Sequence, residues 1–271
     1  MTGGGAYIAN GLYNADCITA MRTMPNECVD MVLTDPPYNI NFVPQRTERG
    51  AILNDNLSVE DFDKLLGDYF TECYRLLKPD TFCVSFMSWA TIPAFEKAIR
   101  AAGFSIKSMP IWVKNNFGIG YYTRPQYEPM YLAIKGTPAP PDTAISDVLQ
   151  YARVVKQIHT CEKPIPLLQR LISTFLHEGD VIFDGFAGGV QPLLPPANCG
   201  VNIYVLNLTN TTSILRHRVS KTNLRKRRFY TISGSGKKES YNANKQNPDN
   251  FIFVRRKRRE MQKDELLQIG N

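Results

Sequence analysis

Val29-Asp30-Met31-Val32-Leu33-Thr34-Asp35-Pro36-Pro37-Tyr38 is the stretch on which the fold turns. A short apolar run closed by turn residues reads as a buried strand, and Asp-Pro-Pro-Tyr as a rigid loop at its C-terminal end. In open α/β sheets that edge is where ligands sit. Two consecutive prolines fix their own φ and withhold two N–H donors. The carbonyls there are left to accept bonds from another group. Asp35 adds a carboxylate and Tyr38 a flat ring. Acceptors beside a flat face suit a planar group that carries an amine, such as a nucleobase with an exocyclic NH2. The same tetrapeptide, taken alone, also describes a Pro-Pro turn with a surface tyrosine, so its neighbours decide.

Upstream, Leu12 to Cys17 reads as a short strand ending in an acid, Asp16, and Ile18 to Met24 as a short helix. A right-handed crossover would bring Asp16 and Asp35 to one edge of a parallel sheet. Downstream, Asn39 to Asn56 is polar and without period, a mobile loop beside the site. Ser58, with Asp61 three residues on, caps a helix whose apolar stripe runs Phe62, Leu65, Leu66, Tyr69, Phe70, Cys73, Leu76, Leu77. Lys78-Pro79 stops it. A strand is expected over 82–87, a helix over 92–102 ended by Gly103, and strands over 104–113 and 130–134. Between the last two lies Asn115-Asn116-Phe117-Gly118-Ile119-Gly120-Tyr121-Tyr122-Thr123-Arg124, Gly-rich and aromatic. It is either a surface that touches a base or sugar, or a plain loop. Residues 137–158 are weakly patterned and read as a small insert. His159-Thr160-Cys161-Glu162-Lys163-Pro164 then opens a helix. Its buried face is Leu167, Leu168, Leu171, Ile172, Phe175 and Leu176. A strand over 180–183 runs into Asp184-Gly185-Phe186-Ala187-Gly188-Gly189. An acid and a Gly-rich turn after a strand have the shape of a nucleotide-type cofactor loop.

At 271 residues, 43% hydrophobic and 21% charged, the chain suits one large α/β domain with an insert. No apolar run approaches a membrane span and no basic-then-apolar leader opens it, so a cytoplasmic location is expected. The six cysteines are scattered without a CxxC pair and read as reduced packing residues; the three histidines have no metal spacing. The net charge of +7 is uneven. From Arg216 onward sixteen Lys and Arg face five Asp and Glu, a local +11, against −4 before it. A basic tail over 220–271, with Arg225-Lys226-Arg227-Arg228 and Arg255-Arg256-Lys257-Arg258-Arg259, favours phosphate-rich partners, and its composition is that of a disordered end.

The Asp-Pro-Pro-Tyr block at 35–38, followed late by His159…Lys163-Pro164 and by Phe183-Asp184-Gly185-Phe186-Ala187-Gly188-Gly189, resembles the amino-methylating DNA methyltransferases that use S-adenosylmethionine (SAM). Catalytic block first and cofactor block last is similar to the permuted beta order of that family. The resemblance implies a Rossmann-like, mostly parallel sheet in a catalytic domain over 1–219, with 114–158 as a target-recognition insert. It implies Asp35, Pro36, Pro37 and Tyr38 as the catalytic corner gripping a flipped base. It implies Asp16, Asp35, Lys163, Asp184, Phe186, Ala187 and Gly188 as the SAM site, with no metal. Double-stranded DNA is the implied substrate. An opening Asp rather than Ser favours adenine N6 over cytosine N4. A cognate restriction nuclease is left open as a partner, and the oligomeric state is not legible.

The resemblance breaks in two ways. The family usually has Pro at the position of Gly185. After Gly189 it would continue into an Ala-rich helix and then a strand ending in an acid for the SAM ribose. Here stand Val190-Gln191-Pro192-Leu193-Leu194-Pro195-Pro196, three prolines incompatible with a helix, and later Leu206-Asn207 in place of the acid. Read from the third base of the Val190 codon, the codons permit S-T-A-T-A-A-R-E-L, then R-G-E-Y-I-C-V-E-L-D, then Y-H-F-D-I-A. This reading puts Val190 to about Arg216 out of frame. The alternative is a genuinely diverged segment. A chain made as written lacks the ribose acid and one wall of the cofactor pocket, so its SAM affinity is expected to fall, and a catalytically dead DNA-binding relic stands as the alternative to an active enzyme.

Overall fold

A computed structural model describes residues 16–41, 54–154 and 162–186 in full, together with the backbone of strands 11–14, 202–207, 228–232 and 238–241. The sheet is built on β2 (Val29–Thr34), whose apolar run is buried on both faces. Met31 and Leu33 point into one core and Val32 into the other, the alternation of any strand. Burial on both sides is what a continuous apolar run requires. β2 pairs in parallel with β3 (Leu77–Phe86) on one side and with β8 (Val181–Asp184) on the other. Beyond β8 come β9 (Asn202–Asn207) and then β1 (Gly11–Asn14), all parallel. Beyond β3 the direction reverses at β6 (Tyr127–Lys135), which carries β4 (Ser105–Ser108) and β5 (Ile111–Val113), and β5 carries β7 (Val148–Gln150).

Three helices cover one face. α1 is Cys17–Met21, α2 Val59–Leu76 and α3 Ile92–Ala101, and their buried residues share a core with Val32, Cys83 and Phe183. α2 starts at Ser58 because its hydroxyl accepts from the Asp61 N–H and so caps an otherwise unpaired donor. Arg75 of α2 donates to the Met21 and Met24 carbonyls, which ties the end of α1 to α2. α4 (Ile165–Phe175) covers the opposite face, packing Leu167, Leu168, Leu171 and Ile172 on Met31, Leu33, Val84 and Phe86. Gly103 ends α3 at φ +105°, a conformation that favours glycine.

Several expectations shift. Asp16 and Asp35 do follow parallel strands, but β9 and β8 stand between β1 and β2. β3 begins at Leu77, directly after α2, instead of near Phe82; Lys78 there is paired with Asp30 at 2.7 Å. The single strand expected over 104–113 is two, β4 and β5, parted at Met109-Pro110. Proline cannot donate to a ladder, and Pro110 stays joined to β6 only as an acceptor, its carbonyl taking the Met130 N–H at 2.9 Å. The loop after Tyr38 is anchored at both described ends: Asn39 clasps the Leu57 N–H and carbonyl, and the Asn41 N–H reaches the Asp55 carbonyl. The rest of that loop lies outside the described residues. So does 190–216, save the backbone of β9, which places a strand at Asn202–Asn207 in the residues as written. The basic tail is also not wholly irregular. β10 (Arg228–Ile232) extends the sheet beside β1, and β11 (Lys238–Tyr241) pairs with β10.

Candidate active site

The topology gathers one set of ends. β1, β9, β8, β2 and β3 run in one direction, so Asp16, Asp184, Asp35 and Met87 leave the sheet at one edge. β6 runs the other way, so its first residues, Tyr127 and Glu128, come to the same edge, and β5 delivers Lys114 there. α4 precedes β8 and returns along the sheet, so its N-terminal flank, Lys163-Pro164, arrives there too.

At the proline corner Asp35 is the hub. Tyr38 Oη donates to Asp35 Oδ1 at 2.5 Å, and Lys163 Nζ donates to Asp35 Oδ2 at 2.5 Å. Pro36 is buried and Pro37 and Tyr38 are half-buried. The Lys163 ammonium also lies 3.2 Å from Glu128 Oε2, and Lys114 Nζ holds Glu128 Oε1 at 2.6 Å. The Lys163 side chain is only 4% exposed, and its ammonium sits 5.0 Å from the Phe86 ring and 5.6 Å from that of Tyr38. Burial alone would push the Glu128 carboxyl up, but the ammonium groups of Lys163 and Lys114 outweigh it and hold it below the usual carboxylate range. Two carboxylates therefore alternate with two ammonium groups along one row, with Lys163 its most buried member.

The turn at the end of β8 is a second, connected cluster. Asp184 Oδ1 accepts from the Phe186 N–H at 2.9 Å and from Thr34 Oγ1 at 3.0 Å. With its proton committed to Asp184, Thr34 accepts from Tyr69 Oη at 2.7 Å, and Tyr69 Oη accepts from the Gly185 N–H at 3.3 Å. Burial lifts the Asp184 carboxyl to about 7, while the Phe186 N–H, the first group to oppose it, and Thr34 pull it back. A Cβ on Gly185 would stand 2.5 Å from Tyr69 Cε2, so the departure from Pro here is matched by a ring that occupies the space. The Tyr69 and Phe186 rings meet edge to face at 4.6 Å.

Most of the expected residues come together. Asp35, Pro36, Pro37, Tyr38 and Lys163 form one contact group, and Thr34 joins it along the chain to Asp184, Gly185 and Phe186. Asp16 is at the same edge but exposed, where it caps α1 through the Thr19 N–H. Ala187 and Gly188 lie outside the described residues. Glu128, Lys114, Thr34 and Tyr69 were not singled out from the sequence. The first two had one visible signal: an acid and a base flank the aromatic Gly-rich loop. Their use becomes clear only when β5 and β6 pair.

A carboxylate, carbonyls freed by prolines and a half-buried ring can hold an aromatic amine. Three acids at the edge, with a glycine turn, fit the positive sulfonium and the hydroxyls of SAM. No group of three or more metal-ligating side chains is present among the described residues. Among the same residues no helix is long and apolar enough to cross a membrane.

The family model described as DNA methylase matches residues 29–189, and the chain belongs to this family of DNA amino-methyltransferases. The family's methyl donor is SAM. The chain is 35% identical over 173 residues to YubD of Escherichia coli (strain K12), covering 64% of this chain and 73% of YubD. It is 24% identical over 218 residues to the DNA adenine methyltransferase YhdJ of the same organism, covering 66% and 72%. Its fold is similar to that of PvuII DNA methyltransferase (cytosine-N4-specific), with a TM-score of 0.60 at 16% identity over 75% of this chain and 84% of that one.

Proposed function

We propose that the chain transfers a methyl group from SAM to the exocyclic N6 of adenine in double-stranded DNA, on a base extruded from the duplex. The observation that carries this reading is the Lys163 ammonium on Asp35 Oδ2 beside the Tyr38 ring. The corner already grips an N–H donor where a target amine would donate.

A base inside a duplex cannot reach the methyl donor and must be flipped out. Tyr38 stacks on it, and Asp35 with the Pro36 carbonyl accepts from its amine. Those acceptors turn the nitrogen lone pair out of the ring plane and toward the donor. An adenine amine is a weak nucleophile because that pair is delocalised, so acceptors and alignment supply the rate. When bound, SAM would supply an electrophilic methyl carbon with its thioether as the leaving group, and the amine would shed one proton along its hydrogen bond to Asp35. Asp16 and the turn from Asp184 through Phe186 to Ala187 and Gly188 would hold it, with Asp35 and Lys163 between donor and base. The choice of adenine rests on the corner opening with Asp.

A second reading, a catalytically impaired DNA-binding relic, is favoured by one observation. β9 ends at Asn207, where the family resemblance implies an acid for the SAM ribose. The chain incubated with labelled SAM and duplex DNA, followed by nucleoside analysis, tests both. N6-methyladenine is the expected product. N4-methylcytosine overturns the choice of base. No transfer, with no calorimetric heat from SAM, establishes the relic.

A further inference from the structure

We propose that Glu128 is a positioning residue of this reaction: it takes over the Lys163 ammonium when the target amine claims Asp35. The inference rests on the proposed methyl transfer and adds a residue to it. Asp35 Oδ2 is the acceptor the amine needs, and Lys163 Nζ is bonded to it at 2.5 Å. Binding the base therefore begins by displacing a cation. That cation is buried, and a buried charge that loses a carboxylate neighbour is costly. A second carboxylate oxygen, Glu128 Oε2, stands 3.2 Å from the same nitrogen. A shift well under the length of one side chain transfers the ammonium without exposing it to water or changing the charge of the row.

The surroundings favour such an exchange. The rings of Phe86 and Tyr38 flank Lys163 and keep its ammonium in an electrostatically favourable track between the two acids. Glu128 cannot follow the cation out, because its other oxygen is held by Lys114 at 2.6 Å and its backbone is fixed opposite Trp112 in the β5–β6 ladder. Tyr38 Oη, 2.5 Å from Asp35 Oδ1, lies 3.4 Å from Glu128 Oε2, so Glu128 also limits how the stacking ring can turn. With Gln at 128, Asp35 would keep the ammonium, and the amine would have to compete with it.

Methyl transfer from labelled SAM to plasmid DNA tests the proposal, with Glu128→Gln, Lys163→Met and the double variant beside the wild type. Glu128→Gln is expected to raise the DNA KM about tenfold, the scale of one charge-assisted hydrogen bond. The calorimetric SAM Kd should not move. Adding Lys163→Met should bring the DNA KM back to that of Lys163→Met alone, since no cation then needs a second seat. Should Glu128→Gln not fold, Glu128→Asp, which keeps the charge but withdraws the carboxylate from Lys163 Nζ by one methylene, is expected to shift the DNA KM in the same direction. A Glu128→Gln enzyme with wild-type DNA KM, or one equally impaired whether or not Lys163 is present, overturns the proposal alone. A wild-type chain that transfers no label overturns the proposed reaction, and this inference with it.

Discussion

Asp184 is a carboxylate built into a turn that burial keeps near neutrality. Its carboxyl is raised from 3.8 to about 7, so between those values the folded chain holds a proton that the unfolded chain has released. The stability it contributes is therefore greatest below pH 4, falls as pH rises to about 7, and stays low above that. Asp184→Asn keeps an acceptor for Thr34 and Phe186 but cannot titrate. The expected outcome is a urea midpoint that changes less between pH 5 and pH 8 than that of the wild type, with the variant the more stable at pH 8. Parallel pH profiles would remove Asp184 as the source. One residue on, Gly185 is required by Tyr69 and not by its own torsions. Gly185→Ala would drive a methyl group into the ring at 2.5 Å, and a loss of about 1–3 kcal/mol is expected for such overpacking, read by urea unfolding. The sequence alone showed only that glycine stands where the family usually has proline. It could not show which ring stands against that glycine, because Tyr69 lies on a helix 116 residues earlier.

At the scale of elements, the loop between β5 and β6 is tightly made yet presents rings to solvent. Its base is closed by Lys114 and Gln126, and the Gly118 N–H bonds the Pro125 carbonyl at 2.7 Å. Any side chain at Gly120 would collide with the Thr123 carbonyl, so glycine is needed for that turn. Arg124 lies 5.0 Å over the Phe117 ring, while Tyr121 and Tyr122 are 94% and 95% exposed. The loop rises from the strands that deliver Lys114 and Glu128, which places it next to the proline corner. Stacking of a base on an exposed ring is worth about 1–3 kcal/mol. Tyr121→Ala with Tyr122→Ala is therefore expected to weaken duplex binding at least tenfold by fluorescence anisotropy. The melting temperature should not change, since neither ring supports the core. The loop's composition was legible in the sequence as either a contact surface or a plain connection. Its closure, which makes the rings a fixed feature, depends on cross-strand bonds that no local pattern carries.

Across the whole molecule, the buried strand before the proline corner was plain because a doubly buried strand must be apolar throughout. The helices were plain because their stripes repeat at helical spacing and Ser58, Gly103 and Pro164 punctuate them. Strand order was not, because periodicity describes an element and not its neighbour; hence β8 and β9 between β1 and β2, and β10 and β11 on the far edge. The charged row at the site was hidden for the same reason, its members being drawn from positions 35, 114, 128 and 163. Charge also separates on this scale, with +11 from Arg216 onward and −4 before it. Arg255, Arg256, Lys257, Arg258 and Arg259, none of them in a described strand, can be replaced together by Gln. The replacement is expected to flatten the dependence of log K for duplex DNA on log salt by up to about 4.5, at roughly 0.9 for each of the five phosphates the tail no longer neutralises. An unchanged slope would separate the tail from the DNA.

The two tryptophans sit in opposite surroundings. Trp112 is 2% exposed, its indole N–H bonded to the Tyr151 carbonyl, whereas Trp89, just beyond the end of β3 at the active edge, is 66% exposed. The native protein should therefore emit as two spectral populations, a blue component blind to added iodide and a red one that iodide quenches. Duplex DNA seated on that edge should shield the red component and leave the blue one untouched, so the chain carries a built-in optical gauge of occupancy.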